Sequence, residues 1–226
     1  MQVGNARYLR PQDLPETLPV FPLTGVLLLP GAQLPLNIFE PRYLAMFDDA
    51  LRGNRLIGMI QPSLTEPRDE TPHGPPPALC QVGCVGRITS FAEMEDGRYI
   101  TSLTGICRFR LFDEAPTVKG YRSFHIAPFA GDLTASEDET QVDRQALLAA
   151  FKAYLDTNQL EADWESVERA GNVMLVNSMA MMLPYGPAEK QALLEAPDLK
   201  TRADTLIAIT EIVLARDFGT GETTLQ

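Results

Sequence analysis

The segment from Leu18 to Tyr43 has the densest pattern of apolar residues, prolines and glycines in the chain. Each proline fixes φ and removes a backbone donor, so the segment is neither one helix nor one strand. Apolar runs around Val20 and over 26–29, the turn dipeptide Pro30-Gly31 and the alternation over 34–38 are typical of strands separated by turns. The pattern therefore predicts short edge strands, as in a small, partly open barrel.

An amphipathic helix is expected directly after this segment, over about 42 to 52. Pro41 suits a first helical turn, where its missing N–H would have been unpaired, and Gly53 is a suitable stop. A strand is predicted over 55–60. The six prolines between Gln61 and Ala78 then predict a loop.

The clearest hairpin signal lies between residues 81 and 111. A strand over 81–91 rises to the turn dipeptide Asp96-Gly97, and a second strand returns over 99–111. One parity of the returning strand should point inward. Its members are Tyr99, Leu103, Cys107, Phe109 and Leu111. One more strand is expected over 121–128, and an acidic linker follows.

The hydrophobic period changes from two to about 3.6 after this linker, which predicts helices. Ser136 and Glu139 fit a capping box for the first helix. Asp163 can cap a second helix that reaches about Leu183, and Gly186-Pro187 opens a short third one. A fourth is predicted between Asp198 and Arg216, with Leu206, Ile209, Ile212 and Val213 facing inward.

Three motif sets, taken in order, resemble the amino-terminal substrate-recognition domain of the Lon protease family. They are PVFPL…LLPG…LPL.IFEPRY, then VG.V..I…..DG.Y…L.G..R.R, and finally LP.…EKQ.LLE..D…R…L. The likeness extends from about Leu18 to about Ala215, in the form of a stand-alone domain without the ATPase and peptidase parts. It implies an α+β fold, with a PUA-like, partly open antiparallel β-barrel followed by a helical bundle.

This resemblance also suggests a division of the chain. Residues 1–17 form a lead-in segment, residues 18–131 the barrel part, residues 132–218 the helical bundle and residues 219–226 a tail. The barrel and the bundle are expected to be two parts of one domain.

Composition excludes several classes of partner. A formal net charge of −11 over 226 residues would repel nucleic acid, whose binding needs a basic surface. No apolar run approaches the roughly 20 residues of a spanning helix, so no membrane partner is expected. The start of the chain lacks a secretory apolar region, which makes the cytoplasm the expected compartment.

The cysteines and histidines do not favour a metal site. Cys80, Cys84 and Cys107 are odd in number and few for the length, which argues against a disulfide framework. Tetrahedral zinc needs about four ligands, and the only histidines are His73 and His125. We therefore expect thiols that behave as small apolar residues, and no metal or other cofactor.

Catalytic motifs are missing from the sequence. No Gly-Lys dipeptide occurs, so there is no Walker A loop, and the nearest imitation over 219–224 has neither the lysine nor a following helix. A Gly-x-Ser-x-Gly elbow and a His-Glu-x-x-His pair are also absent. The resemblance thus implies the recognition part of Lon and not its catalytic parts, so we expect no enzyme activity.

Candidate binding residues cluster around the junction of the proline-rich segment and the predicted helix. They are Phe21, Ile38, Phe39, Glu40, Arg42 and Tyr43. The four apolar members form either an exposed groove or part of the core, and the two charged members either an internal ion pair or cap, or a contact with a partner. The methionines at 174, 179, 181 and 182 pose the same choice between a binding surface and a buried helix.

The leading hypothesis is a non-catalytic module that binds unfolded or exposed apolar polypeptide, or a partner protein, with a link to protein quality control. One alternative is a small-molecule or enzymatic site in a cleft between barrel and helices. Another is an accessory subunit that works in trans with a complete Lon-type protease. Assembly with a second copy of the chain, as a homo-oligomer, stays open.

Overall fold

The structure is a computed structural model, and it describes residues 1–65, 76–116, 119–134 and 139–220. The chain forms two compact units. The barrel unit comprises Met1–Ala135 and Tyr185–Leu194, and the helical unit comprises Ser136–Pro184 and Glu195–Gln226. Tyr185–Leu194 therefore belongs with the barrel, although it lies within the segment 132–218 predicted to form the bundle.

The strands of the structure all lie in the barrel unit. They are β1 (Gln2–Val3), β2 (Ala6–Arg7), β3 (Thr17–Pro22), β4 (Gln33–Ile38), β5 (Leu56–Ile60), β6 (Val82–Glu93), β7 (Tyr99–Ala115) and β8 (Arg122–Pro128). Strands β1 and β2 form a separate two-stranded sheet, and the other six form one mixed sheet. The α+β fold class predicted from the sequence is confirmed.

Five strands form a ring in the order β3-β5-β6-β7-β8, because β8 pairs with β7 as well as with β3. The long strand β7 makes this possible, since one of its edges pairs first with β4 and then with β8. All ladders are antiparallel except that of β3 and β5, which is parallel. The register of the β7–β8 ladder shifts between Leu111 and Glu114, as at a β-bulge.

The hairpin predicted around Asp96-Gly97 is confirmed as β6 and β7. Gly97 has a φ of 81°, the left-handed conformation that glycine adopts without strain. The turn is closed by the amide of Met94, which donates to the carbonyl oxygen of Arg98 at 2.8 Å. The Asp96 side chain accepts a hydrogen bond from the backbone of Arg98 as well.

The proline-rich segment forms two strands, and its middle differs from the prediction. Residues 26–29 are not a strand, although Leu27, Leu28 and Leu29 are buried. Instead, the backbone shortly after these leucines pairs with Gly105 of β7. The amide of Gly105 donates to the carbonyl oxygen of Ala32, and its carbonyl oxygen accepts from the amide of Gly31, both at 2.9 Å. The three leucines thus fill the core without entering the sheet.

The helices are named in chain order. They are α1 (Pro41–Arg52), α2 (Ala130–Thr134), α3 (Arg144–Thr157), α4 (Trp164–Arg169), α5 (Asn172–Met182), α6 (Pro187–Glu195) and α7 (Leu199–Thr220). Helix α1 confirms the helix expected over about 42 to 52. The single helix predicted from Asp163 to Leu183 is wrong, because extended backbone at Ala170 and Gly171 separates α4 from α5.

Other expectations for the helices have mixed outcomes. Asp163 caps α4 as predicted, since its side chain accepts a hydrogen bond from the amide of Ser166. Helix α7 continues to Thr220 rather than ending near Arg216, and Ile212 is exposed rather than inward-facing. The proposed capping box at Ser136, the residue His73 and residues 221–226 of the predicted tail lie outside the described residues. Residues 219–220, also predicted to belong to the tail, are part of α7.

The barrel core receives side chains from the lead-in segment as well as from the strands. Val3, Tyr8 and Leu14 are buried in the same cluster as Leu18 and Phe109. Among the described residues of the helical unit, Arg202 has the largest fully buried side chain, and it donates a hydrogen bond to the Oδ1 atom of Asn177 at 3.1 Å.

Candidate polypeptide-binding surface

Three of the six candidate binding residues belong to the core. Phe21, Ile38 and Tyr43 are 6%, 1% and 7% exposed, so the exposed-groove interpretation is wrong for them. The ring of Phe21 lies 4.3 Å from that of Tyr43 and 6.4 Å from that of Phe47, centroid to centroid. Helix α1 covers β3 through these rings, because aromatic side chains gain most from burial.

The two charged candidates, Glu40 and Arg42, form an ion pair with each other. An Nη2 to Oε2 distance of 2.8 Å joins them, and the guanidinium also lies 4.6 Å from the centroid of the Tyr43 ring. Glu40 is the N-cap residue of α1 but makes no side-chain cap hydrogen bond, so the cap interpretation is wrong. Both side chains are about half exposed, which leaves them accessible to a partner.

Phe39 is the one apolar candidate that lies on the surface, with 64% of its residue area exposed. It stands between the end of β4 and the start of α1. Three further apolar residues are exposed at the end of the neighbouring hairpin, and sequence reasoning missed them. They are Phe91, Met94 and Ile100, which we call, together with Phe39, the hairpin-end surface.

Strand pairing brings these residues together. Ile38, which precedes Phe39, is paired with Tyr99, and Ile100 is paired with Ala92 of β6. Phe91 contacts Tyr99 across the hairpin, with ring centroids 4.8 Å apart and an interplanar angle of 70°. Because Phe91 is paired with Thr101, the neighbour of Ile100, the hairpin-end surface extends onto both faces of the ribbon.

Carboxylates surround the ring of Tyr99. Its hydroxyl donates to the Oδ1 atom of Asp48 at 2.9 Å, and this hydrogen bond is the main cause that raises the pKa of Tyr99. Glu93 is the direct cross-strand partner of Tyr99. The aromatic part of the hairpin-end surface therefore has a negatively charged border.

Strand β4 forms an edge next to this surface. Among the described residues it pairs only with β7, over Gln33 to Ile38. Pro35 lies opposite Ser102 and has no backbone N–H to donate. The sequence prediction that the prolines mark edge strands is confirmed for β4. It is wrong for β3, which contains Pro19 and Pro22 and pairs with both β5 and β8.

A second group of polar contacts fixes α1 against the segment before β8. The Asp49 carboxylate accepts hydrogen bonds from the Lys119 ammonium at 2.7 and 2.9 Å and from the Tyr121 hydroxyl at 2.8 Å. These bonds lower the pKa of Asp49, and burial and the same contact raise that of Tyr121 to about 12. They fix the last turn of the helix that carries Tyr43 and Asp48.

The other candidates from the sequence are divided between core and surface. On α5, Met179 is buried, whereas Met174 and Met182 are exposed by 65% and 81%. Cys84 and Cys107 are fully buried free thiols, and desolvation raises the pKa of Cys107 to about 12. In the described part of the chain, no three His, Cys, Asp or Glu side chains are placed to hold a metal ion.

Comparison with known proteins identifies the family. A profile of the family described as "ATP-dependent protease La (LON) substrate-binding domain" matches residues 17–211. The chain belongs to this family. All four residues of the hairpin-end surface lie inside the matched range of this LON substrate-binding domain.

The LON substrate-binding domain has relatives among complete proteases. It is 29% identical over 210 residues to Lon protease 2 of Myxococcus xanthus, and 31% identical over 206 residues to Lon protease of Parabacteroides distasonis. The matches cover 88% and 86% of this chain but 24% of each relative. The chain thus spans about a quarter of the length of these curated relatives.

Solved structures share the fold. A Lon N-terminal domain protein from Xanthomonas campestris superposes with a TM-score of 0.59 at 22% identity, over 85% of this chain and 97% of its own. The N-terminal domain of Mycobacterium avium complex Lon protease gives 0.60 at 18% identity, over 86% and 98%. In the described residues, no helix is both long enough and apolar enough to span a membrane.

Proposed function

We propose that this LON substrate-binding domain binds unfolded or exposed apolar polypeptide through its hairpin-end surface and catalyses no reaction. The observation that carries the proposal is the exposure of four large apolar side chains around the end of the β6–β7 hairpin, on both faces of the ribbon, at 39% to 64%. Apolar side chains grouped on a surface mark interaction sites. The family description supports the same class of ligand.

The edge of β4 offers such a ligand a second kind of contact. An extended segment can add to an exposed edge through main-chain hydrogen bonds, which do not depend on sequence. Pro35 leaves one position of this edge without a donor, so the added strand is short. Side chains of the segment then reach Ile100, which is paired with Asn37, and Phe39, which follows Ile38, the last paired residue of β4.

We place this activity in protein quality control, either with a Lon-type protease or beside it. The names of the relatives support this role, since both are Lon proteases. The alternative, a small-molecule or enzymatic site, stays a prediction, and we assign no described residues to it. The cytoplasm stays the expected compartment.

The proposal is tested by measuring the affinity of the full chain for a fluorescently labelled, reduced and alkylated model protein that cannot refold. We expect the double substitution Phe39→Ser and Ile100→Ser to weaken binding about tenfold, since losing two partly buried apolar contacts costs roughly 1.4 kcal/mol. The control is Leu160→Ser, which removes an apolar side chain that is 52% exposed in the helical unit.

Stability should not change in either variant, because all three positions are exposed. Unchanged affinity in the double variant, or equal weakening by Leu160→Ser, would contradict the assignment of the surface. Absence of any binding by the unmodified chain would contradict the proposed function itself.

A further inference from the structure

The corner formed by Phe91, Tyr99 and Glu93 has the chemistry of a receptor for a cationic side chain. We infer that it accepts a lysine or arginine of the bound polypeptide, so that the domain prefers apolar segments that carry a basic residue. This inference rests on the proposed function and names the class of segment that the surface selects.

The geometry of the corner is fixed by the hairpin. The Phe91 and Tyr99 rings meet edge to face at 4.8 Å, and Phe91 remains 39% exposed. The Tyr99 hydroxyl is held by Asp48 at 2.9 Å, which prevents the ring from turning away. Glu93 is paired with Tyr99, and directly opposed side chains on a sheet have Cβ atoms about 5 Å apart.

The balance of charge around the corner favours a cation. The nearby cations already have carboxylate partners, as Arg52 has Asp48 at 3.8 Å and Arg98 has Asp96 at 2.6 Å. Glu93 has no ion-pair partner among the residues that the structure describes. The chain as a whole carries a formal charge of −11, so its field attracts a basic segment and repels an acidic one.

Aromatic rings and a carboxylate at one place suit both parts of a long basic side chain. The apolar stem of a lysine or arginine can lie along the exposed Phe91 ring while its charged end reaches Glu93. Attraction between a cation and an aromatic face adds about 0.5–1 kcal/mol at an exposed site. Neutral and acidic segments can fill the apolar surface but gain neither contribution.

The test uses three labelled peptides with the same apolar sequence, flanked by lysine, glutamine or glutamate, and fluorescence anisotropy to measure Kd. We expect the lysine peptide to bind about fivefold more tightly than the glutamine peptide at low salt, and the glutamate peptide more weakly than both. In Glu93→Gln the preference for lysine over glutamine should fall to within about twofold, whereas affinity for the glutamine peptide should not change. High salt should also reduce the preference of the unmodified chain for the lysine peptide over the glutamine peptide.

Glu161→Gln is the matched control. It removes the same negative charge from an exposed position in the helical unit, so it changes the net charge by the same amount without altering a residue of the corner. Equal affinity of the unmodified chain for all three peptides, or an equal loss of preference in Glu161→Gln and Glu93→Gln, would overturn the inference while leaving the proposed function intact. If none of the peptides binds, the proposed function fails together with the inference.

Discussion

The close approach of β7 to the turn before β4 predicts a severe effect for Gly105→Ala. A Cβ atom added at Gly105 would lie 2.1 Å from the carbonyl oxygen of Leu29 and 2.8 Å from its carbonyl carbon. These are backbone atoms, so no side-chain rotation can relieve the overlap. The chain around Leu29 must move away from β7 instead.

The magnitude follows from what this movement breaks. Gly105 exchanges two backbone hydrogen bonds of 2.9 Å with Gly31 and Ala32, and each contributes about 1 kcal/mol net. Forcing extra volume into a packed core costs about 1–3 kcal/mol more. We therefore expect the free energy of unfolding to fall by roughly 3–5 kcal/mol.

The assay is urea denaturation followed by circular dichroism, together with hydrogen exchange of the barrel amides. The single tryptophan, Trp164, belongs to the helical unit, so its fluorescence does not report on the barrel. Exchange should become faster around Gly31 and Ala32 in particular, because their bonds to Gly105 are the ones that break. The control is Gly131→Ala in α2, where an added Cβ meets nothing within 4 Å.

A free energy of unfolding for Gly105→Ala within about 0.5 kcal/mol of that of the unmodified chain would refute the reasoning, since a change of this size is what we expect for Gly131→Ala. It would mean that the turn does not lie against β7. The anchoring of β4 beside the hairpin-end surface would then need another explanation. If the contact is as described, Gly105→Ala should also weaken polypeptide binding.

Two ionic contacts of the barrel unit give further predictions. Arg108→Ala should lower the free energy of unfolding by about 3–5 kcal/mol in urea denaturation, because it leaves Asp132, 10% exposed and 2.8 Å from Arg108, buried without its cation. Unchanged stability would contradict this. Asp49→Asn should destabilise the chain at pH 7, since Lys119 and Tyr121 lower the pKa of the carboxyl group. A carboxyl group whose pKa is lower in the folded than in the unfolded chain stabilises the folded state at pH values above its unfolded pKa of about 3.9. The difference in free energy of unfolding between Asp49→Asn and the unmodified chain should therefore shrink as the pH falls below that value. A difference that stays constant with pH would refute the assignment.

Local signals predicted the elements that local chemistry determines. Asp96-Gly97 specifies a tight turn by its own conformational preference, so the hairpin could be predicted from a few residues. Pro35 marks an edge strand because it cannot donate. The break between α4 and α5 could not be predicted in this way. The apolar residues of α5 lie on all sides of the helix, so they show no helical periodicity whose start would mark the boundary.

Exposure is a tertiary property, and this explains what was missed at the site. Phe21 and Phe39 are the same residue type in one proline-rich segment, yet one is 6% and the other 64% exposed. Only the packing of α1 on β3 separates them. Phe91 and Ile100 carried a usable signal, because apolar residues close to a tight hairpin turn extend beyond the core, as both do here.

An exposed apolar surface beside an open strand edge also invites self-association, and two features of this chain oppose it. Pro35 interrupts the donors of β4, so two copies cannot pair along the full edge. Glu93 and Glu95 are exposed around the hairpin end, so two such surfaces that meet face to face bring like charges together. A basic segment meets the first obstacle as well, which keeps the added strand short, but it does not meet the second. The charges that oppose face-to-face contact between two copies are thus the ones that favour a cationic, apolar ligand, and both effects should weaken together as salt is added.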